Sequence, residues 1–215
     1  MRAPSLLRTP YQKLHFAANY LLCGLFLLPS LARFRWSHPG KAWKIHTHLT
    51  RYERLMLYKL GRAQPHGAVM VEIGSYLGAS SCFLAAAAFE IQGAKLHCVD
   101  TWENEGMSEG SRDTWQNFQL NTKEYHHLIE PHRGRSVDIA RTFTHRIDLI
   151  FIDGDHSYEG CHQDVRSWLP LLKAEGCILL HDFGWAEGVQ RVVNEDLRPL
   201  VKREGKLPNL YWAWF

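Results

Sequence analysis

The sequence lacks the cysteine pattern on which disulfide-stabilised and cysteine-metal folds depend. It holds five cysteines in 215 residues, an odd number, and no two of them form a C-x-x-C pair. A disulfide framework and a cysteine zinc knuckle are therefore both disfavoured, and a reducing compartment, the cytoplasm, is indicated. A chain of this length buries enough surface to fold without such cross-links.

Acidic residues are nearly absent from the first third of the chain. Residues 1–69 hold eleven Lys or Arg and one acid, Glu53, whereas residues 70–215 hold 14 basic and 21 acidic residues. An asymmetry of this size predicts an anionic partner at the N-terminal end, either a membrane surface or a polyanion. Nucleic acid is disfavoured, because no nucleic-acid-binding motif is present and the larger part of the chain is acidic.

An uncharged, mainly apolar stretch runs from Leu14 to Ala32 between basic flanks. Three interpretations stay open: a signal peptide, a helix lying on a membrane, and a helix packed on the main domain. Asn19, Gly24 and Pro29 interrupt the run, which makes it short for a membrane span. We favour packing, or peripheral membrane contact through residues 1–62, over export.

The pattern changes after Pro65 to an alternation of short apolar runs and amphipathic stretches. The strongest predicted strands cover residues 68–73, 95–99, 147–152 and 176–180, and predicted helices separate them. Such alternation predicts an α/β fold with a largely parallel, Rossmann-like sheet and helices on both faces. The chain therefore divides into a basic, apolar helical extension (1–64) and an α/β domain (65–215).

Each strong predicted strand ends in a carboxylate or a histidine, which packing alone does not require. Ligands of open parallel sheets bind beyond the carboxyl ends of the strands. The residues at these ends are Glu72, Asp100, Asp153, His181 and Asp182.

The turn after the first strand reads E-x-G-x-x-x-G, from Glu72 through Gly74 to Gly78. It lacks the G-x-G-x-x-G pattern that holds a pyrophosphate. An acid before the first glycine suits a ligand with a cationic end. Asp100, at the end of the second strand, is placed to accept both hydroxyls of a ribose.

Glu72 to Gly78, together with Asp100-Thr101-Trp102, resembles the class I S-adenosylmethionine-dependent methyltransferases. Residues 151–160 and 179–182 resemble a branch of metal-dependent sugar O-methyltransferases of macrolide biosynthesis. The resemblance implies a seven-stranded sheet with one reversed strand. It also implies which residues bind the cofactor. Glu72, Gly74, Ser75, Tyr76 and Gly78 would form the loop at the methionine end, and Asp100 would hold the ribose. Thr101 and Trp102 would border the adenosine, and Ser136 would lie near the adenine.

A metal site is predicted where the third and fourth strong strands end. Oxygen-rich ligation suits Mg²⁺ or Mn²⁺, which would bind two vicinal sugar oxygens. The resemblance implies metal ligands at Asp153 and Asp182. His181 stands where the family usually has a further acid, which favours Mn²⁺, Fe²⁺ or Zn²⁺. Asp153 and His156 have the spacing of the family's metal ligand and general base, and they are the predicted catalytic residues.

These observations predict a metal-assisted, S-adenosylmethionine-dependent O-methyltransferase. Its acceptor would be a sugar, a glycan of polysaccharide biosynthesis or another small hydroxylated molecule. A metal-dependent hydrolase and a non-catalytic module that retains the cofactor pocket are the alternatives. A homo-oligomer stays open, because the sequence does not address it.

Overall fold

The computed structural model describes residues 10–38, 40–104 and 110–215, with side chains from residue 23 onward. Residues 1–9 of the predicted extension therefore lie outside the described residues. The helices are α1 (Pro10–Ser37), α2 (Arg51–Arg62), α3 (Ala79–Glu90), α4 (Trp115–Thr122), α5 (Ser136–Thr142), α6 (Tyr158–Trp168) and α7 (Glu187–Val192). The strands are β1 (Val69–Ile73), β2 (Lys95–Asp100), β3 (Ile129–Arg133), β4 (Ile147–Ile152), β5 (Leu172–His181), β6 (Arg203–Lys206) and β7 (Leu210–Trp214).

The seven strands form one sheet in the order β3-β2-β1-β4-β5-β7-β6. The five strands from β3 to β5 in that order are parallel, and β7 runs antiparallel to both of its neighbours. The predicted Rossmann-like sheet with one reversed strand is confirmed. Strand order reverses between β1 and β4, so the carboxyl ends of these two strands flank the crevice in which such folds bind ligands.

The centre of the sheet is covered on both sides, which explains its continuous apolar runs. Along β4, Leu149 and Phe151 belong to one buried cluster, and Ile150 and Ile152 belong to another. The first cluster is completed by α1 to α4, and the second by α5 to α7. Successive strand residues point to opposite faces, so each face receives every second side chain.

The N-terminal helices pack on α3. Phe34 of α1 stacks on Phe83 of α3, with ring centroids 4.2 Å apart and planes 5° from parallel. Glu90, at the end of α3, accepts hydrogen bonds from Arg33 and Arg62 at 2.5 and 2.6 Å and from the Tyr58 hydroxyl. Within the described residues, no helix combines the length and the apolar character that a membrane crossing requires.

Candidate functional site

The glycine turn between β1 and α3 is tightly folded against the end of β4. Gly74 has φ +84°, and a Cβ there would lie 2.1 Å from the backbone oxygen of Asp153. Gly78, the residue before α3, has φ +85°, and its Cβ would lie 2.6 Å from a methyl carbon of Thr122. Both positions therefore require glycine. Tyr76, between them, also adopts a positive φ of 45°, a strained backbone of the kind found at ligand sites.

Glu72 is a buried carboxylate beneath this turn. One of its oxygens accepts a hydrogen bond from the Ser81 hydroxyl, and the other, Oε1, makes no well-formed hydrogen bond within the described residues. The side-chain oxygen of Ser75 is likewise buried and makes no well-formed hydrogen bond in the part of the chain that the structure describes. Burial raises the pKa of Glu72, although hydroxyls such as that of Ser80 oppose the shift. An unpaired buried acceptor fits a ligand that brings a hydrogen-bond donor or a positive charge.

Asp100 joins the glycine turn to the end of β2. Its carboxylate accepts the backbone N–H groups of Tyr76 at 2.7 Å and of Trp102 at 2.6 Å. Burial raises the pKa of Asp100, and these two N–H groups counteract part of the rise. The N–H groups of Ser75 and Thr101 also act on this carboxylate, and because a carboxylate has about four acceptor positions, Asp100 is a suitable acceptor for a ligand hydroxyl.

Two further predicted cofactor residues follow Asp100. The Trp102 ring is fully buried and packs on Trp115, with centroids 4.6 Å apart, and its Nε1–H donates to the backbone oxygen of Tyr76 at 3.1 Å. The Thr101 hydroxyl accepts the backbone N–H of Glu103 at 3.3 Å. The indole thus supports the loop from within the core, and Thr101 is the more accessible of the pair.

Ser136 begins α5 and accepts a hydrogen bond from Trp168 Nε1 at 2.8 Å. Its hydroxyl also contacts Asp164 of α6, a buried acid that the sequence analysis did not single out. A Cβ added to Gly154 would lie 3.2 Å from a carboxylate oxygen of Asp164. Asp164 therefore connects the predicted adenosine side with the loop that follows β4.

The predicted metal ligands converge as expected from the adjacency of β4 and β5. His181 Nδ1 lies 3.0 Å from an oxygen of Asp153 and 3.2 Å from an oxygen of Asp182. One ligand atom from each of the three residues lies within 4.8 Å of the others. Asn209 donates to Asp182 at 3.1 Å, and Trp185 Nε1 donates to the same oxygen at 2.7 Å.

A fourth side chain, Glu53, reaches this cluster from α2 and was missed by the sequence analysis. Its Oε2 lies 3.6 Å from His181 Nε2, on the side of the ring away from Asp153. Glu53 is fixed by a capping box with Thr50, in which each backbone N–H donates to the other residue's side chain. The sequence feature that could have identified Glu53 as a site residue is that it is the one acid among residues 1–69.

The three carboxylates set the charge of His181. Burial alone would lower the pKa of the buried imidazole, but Asp153, Asp182 and Glu53 raise it well above its usual range. In return, although burial opposes it, the hydrogen bond from His181 lowers the pKa of Asp182 to about 2. The raised pKa favours a protonated His181 held among carboxylates.

His156, the predicted general base, is exposed and packs against Trp185, with ring centroids 4.8 Å apart. A narrow cavity at the end of β4 is lined by His156 together with Asp153, His181 and Asp182. The structure thus brings the predicted catalytic and metal-binding side chains to one cavity, next to the glycine turn.

Comparisons with known proteins identify a domain in the same part of the chain as the glycine turn and the acidic cluster. A family model described as a methyltransferase domain matches residues 71–183, which include the glycine turn, Asp100 and Asp182. A curated relative, the uncharacterised protein y4gI of Sinorhizobium fredii, is 27% identical over 126 residues. That match covers 53% of this chain and only 13% of the relative.

Several solved methyltransferases share the fold. The O-methyltransferase NovP has a TM-score of 0.66 at 12% identity, with 91% of this chain and 98% of NovP covered. The S-adenosylhomocysteine-bound methyltransferase PaMTH1 of Podospora anserina has a TM-score of 0.63 at 17% identity, covering 99% and 100%. TomG of Streptomyces achromogenes, an O-methyltransferase of tomaymycin synthesis in complex with S-adenosylmethionine, has a TM-score of 0.61 at 18% identity, covering 86% and 88%.

The family match spans more than half of the chain, and the sheet order and the glycine turn agree with it. The predicted resemblance to the class I S-adenosylmethionine-dependent methyltransferases is confirmed, and the chain belongs to the methyltransferase domain family.

Proposed function

We propose that the chain transfers the methyl group of S-adenosylmethionine to a hydroxyl oxygen of a small acceptor. The observation that carries the proposal is the pair of acceptors at the glycine turn. Within the described residues, Glu72 Oε1 is buried without a well-formed hydrogen bond, and the Asp100 carboxylate is held by backbone N–H groups at the end of the next strand. One suits the cationic end of the cofactor, and the other suits its ribose.

The residues around these two acceptors would hold the rest of the cofactor. The methionine end would lie against the glycine turn formed by Glu72, Gly74, Ser75, Tyr76 and Gly78, whose tight packing on Asp153 and Thr122 requires glycine at both glycine positions. The adenosine end would lie against Asp100, Thr101, Trp102 and Ser136.

The bound cofactor supplies an electrophilic methyl group on a sulfonium sulfur, so the protein has to orient an acceptor hydroxyl and remove its proton. His156 is the residue proposed to take that proton on a ring nitrogen. Its exposure gives the proton a path to solvent, and the contact with Trp185 holds the ring at the mouth of the cavity. Asp153 lines the same cavity and would orient the acceptor.

We further propose that Asp153, His181 and Asp182 hold a divalent cation. One atom from each of these three residues is close enough to share one ion. The carboxylates of Asp153, Asp182 and Glu53 surround a single imidazole, so the cluster is negatively charged. The nitrogen donor favours Mn²⁺ over Mg²⁺. Such an ion lowers the pKa of a bound hydroxyl. Ion binding requires His181 to release the proton that it shares with the two aspartates.

The acceptor class rests on two kinds of support. NovP and TomG, both of which share the fold, are O-methyltransferases. The acidic cluster beside the glycine turn suits an acceptor with two neighbouring hydroxyls, such as a sugar or a glycan, because vicinal oxygens can chelate one ion.

Isothermal titration with S-adenosylmethionine and S-adenosylhomocysteine, with and without Mn²⁺ or Mg²⁺, tests the proposal. We expect cofactor binding in the micromolar range without metal, and Mn²⁺-dependent methyl transfer in a screen of sugars and nucleotide sugars. His181→Asp, which restores an all-oxygen ligand set, should shift the preference toward Mg²⁺. Failure to bind either cofactor form would overturn the proposal, whereas binding without transfer to any acceptor would favour the non-catalytic module.

A second proposal, peripheral membrane contact, is favoured by exposed apolar residues on α1. Leu25, Phe26 and Leu28 are each more than half exposed, and Trp36 is 93% exposed. Residues 25, 28 and 36 share one side of the helix, and the flanking segment is strongly basic. An anionic membrane surface matches both features.

Flotation with vesicles that contain anionic phospholipid tests this contact. The triple variant Leu25→Ser/Leu28→Ser/Trp36→Ser should abolish flotation of the full chain. Leu120→Ser, at an apolar residue of α4 that is 64% exposed, should leave flotation unchanged. Equal flotation of the two variants, or none by the wild type, would remove the membrane from consideration.

A further inference from the structure

Three histidines and a glutamate meet on one face of the sheet, away from the glycine turn. His97 lies in β2, and Glu130 and His132 lie two residues apart in β3. Because His97 is in register with Glu130, all three side chains leave the sheet on the same face. His145, in the connection from α5 to β4, stacks its ring on that of His97.

The ring nitrogens are already in contact. His97 Nδ1 lies 3.0 Å from His132 Nε2 and 3.5 Å from a carboxylate oxygen of Glu130. The His145 ring is parallel to that of His97 within 29°, with centroids 5.4 Å apart. Two nitrogen ligands of a tetrahedral Zn²⁺, at 2.0–2.1 Å from the ion, are separated by roughly 3.3 Å, so the pair needs little movement to share one ion.

The cluster combines a rigid part with an adjustable one. His97 is 3% exposed and is walled by the Phe143 ring, with centroids 5.0 Å apart. Glu130 is about half exposed and His145 is exposed, so both side chains can rotate to supply the remaining ligands. A buried first ligand with mobile neighbours gives an ion a fixed point of attachment and a path of entry.

The charge state of the rings suits metal binding as well. Burial lowers the pKa of His97 to about 4, with His132, His145 and Lys95 adding to the effect and Glu130 opposing it. Burial also lowers the pKa of His132. A lowered pKa favours the neutral imidazole, which is the form that ligates a metal.

We propose that His97, His132, Glu130 and His145 form a second metal site, selective for Zn²⁺ or a similar imidazole-preferring ion. It differs from the Asp153 cluster in both chemistry and place. The ligands are mostly nitrogen, and His97 lies three residues, or ~10 Å, before Asp100 along β2. His97 lies in the middle of β2, and His145 precedes β4. An ion there would clamp the edge strand β3 to the α5–β4 connection.

Zinc titration of the full chain tests the site in a background that lacks the other cluster. In Asp153→Asn/Asp182→Asn, we expect one Zn²⁺ to bind and to raise the melting temperature. Adding His132→Ala and His145→Ala should weaken Zn²⁺ binding by more than about 100-fold, because loss of an outer-shell partner alone typically costs ~10–100-fold and these residues are ligands. The matched control, His126→Ala/His127→Ala, removes an exposed histidine pair and should leave the affinity unchanged.

No zinc binding in the aspartate-free background, or equal affinity after the His132/His145 change, would overturn the proposal. If the double histidine variant fails to fold, ¹⁵N spectra of the wild-type imidazoles decide: Zn²⁺ has to shift the resonances of His97 and His132, and unmoved resonances exclude the site. Cofactor binding at the glycine turn is measured in the same samples and is independent of either result.

Discussion

Replacing Asp164 with asparagine should make the protein more stable at neutral pH. Asp164 is 7% exposed and lies between the Ser136 hydroxyl and Gly154. Burial raises its pKa from 3.8 to about 6, although the Ser136 hydroxyl opposes the rise. The folded protein thus prefers the neutral carboxyl, and asparagine is a neutral side chain of the same shape.

The sign and size of the effect follow from linkage between folding and protonation. The stabilising contribution of the protonated Asp164 is complete below pH 3.8 and is lost as the pH rises through 6. A pKa rise from 3.8 to 6 corresponds to about 3 kcal/mol. We therefore expect Asp164→Asn to be about 1–3 kcal/mol more stable than wild type at pH 7.5, and within ~0.5 kcal/mol of it at pH 4.

Urea unfolding followed by tryptophan fluorescence, from pH 4 to pH 8, measures this difference. Asp138→Asn is the matched control, because Asp138 is exposed on α5 and pairs only with Arg141 in the described structure. Its effect should stay within about 0.5 kcal/mol at every pH. The reasoning is refuted if the advantage of Asp164→Asn does not grow between pH 4 and pH 7.5, or if the variant is the less stable protein at pH 7.5.

Three further predictions concern the glycine turn and the acidic cluster. Gly74→Ala should lower the free energy of unfolding, measured by thermal unfolding, by more than ~3 kcal/mol, because the added Cβ would meet the Asp153 backbone. Gly67→Ala, at φ +68° with open space around it, should lower it by only about 1–2 kcal/mol. Equal losses of stability in the two variants would contradict the clash. Glu53→Gln should destabilise the protein by ~1–3 kcal/mol more than Thr50→Ala, which removes only the cap; chemical unfolding that ranks the two equally would show that the His181 contact contributes nothing. Asp100→Asn should weaken S-adenosylhomocysteine binding by about 10–100-fold in a titration, and unchanged affinity would remove Asp100 from the cofactor site.

The sheet was predictable because most of its strands carry their own signal. β1, β2 and β4 are mainly apolar and almost fully buried, since both faces of these strands are covered. β6 was not predicted, because its sequence Arg-Glu-Gly-Lys has no buried residue and forms a strand only by pairing with β7 at the sheet edge. Edge strands of this kind are polar by necessity and look like loops.

The site was predictable only where its residues end strands. The convergence of Asp153 with His181 and Asp182 follows from the adjacency of β4 and β5. Glu53 was not predictable in the same way, because the approach of α2 to His181 depends on how that helix packs on α3. The catalytic and cofactor roles, and the division of the chain at residues 64 and 65, stay predictions that the titrations above address.

The contact between Glu53 and His181 changes how the enzyme should be shortened for study. A truncated chain beginning at residue 65 would leave His181 with two carboxylates where the intact protein has three. It would also uncover Phe83, which is buried beneath Phe34. Removal of the extension would therefore change the pKa of His181 and expose apolar surface on α3. A loss of activity after truncation would thus not show that membrane attachment is required.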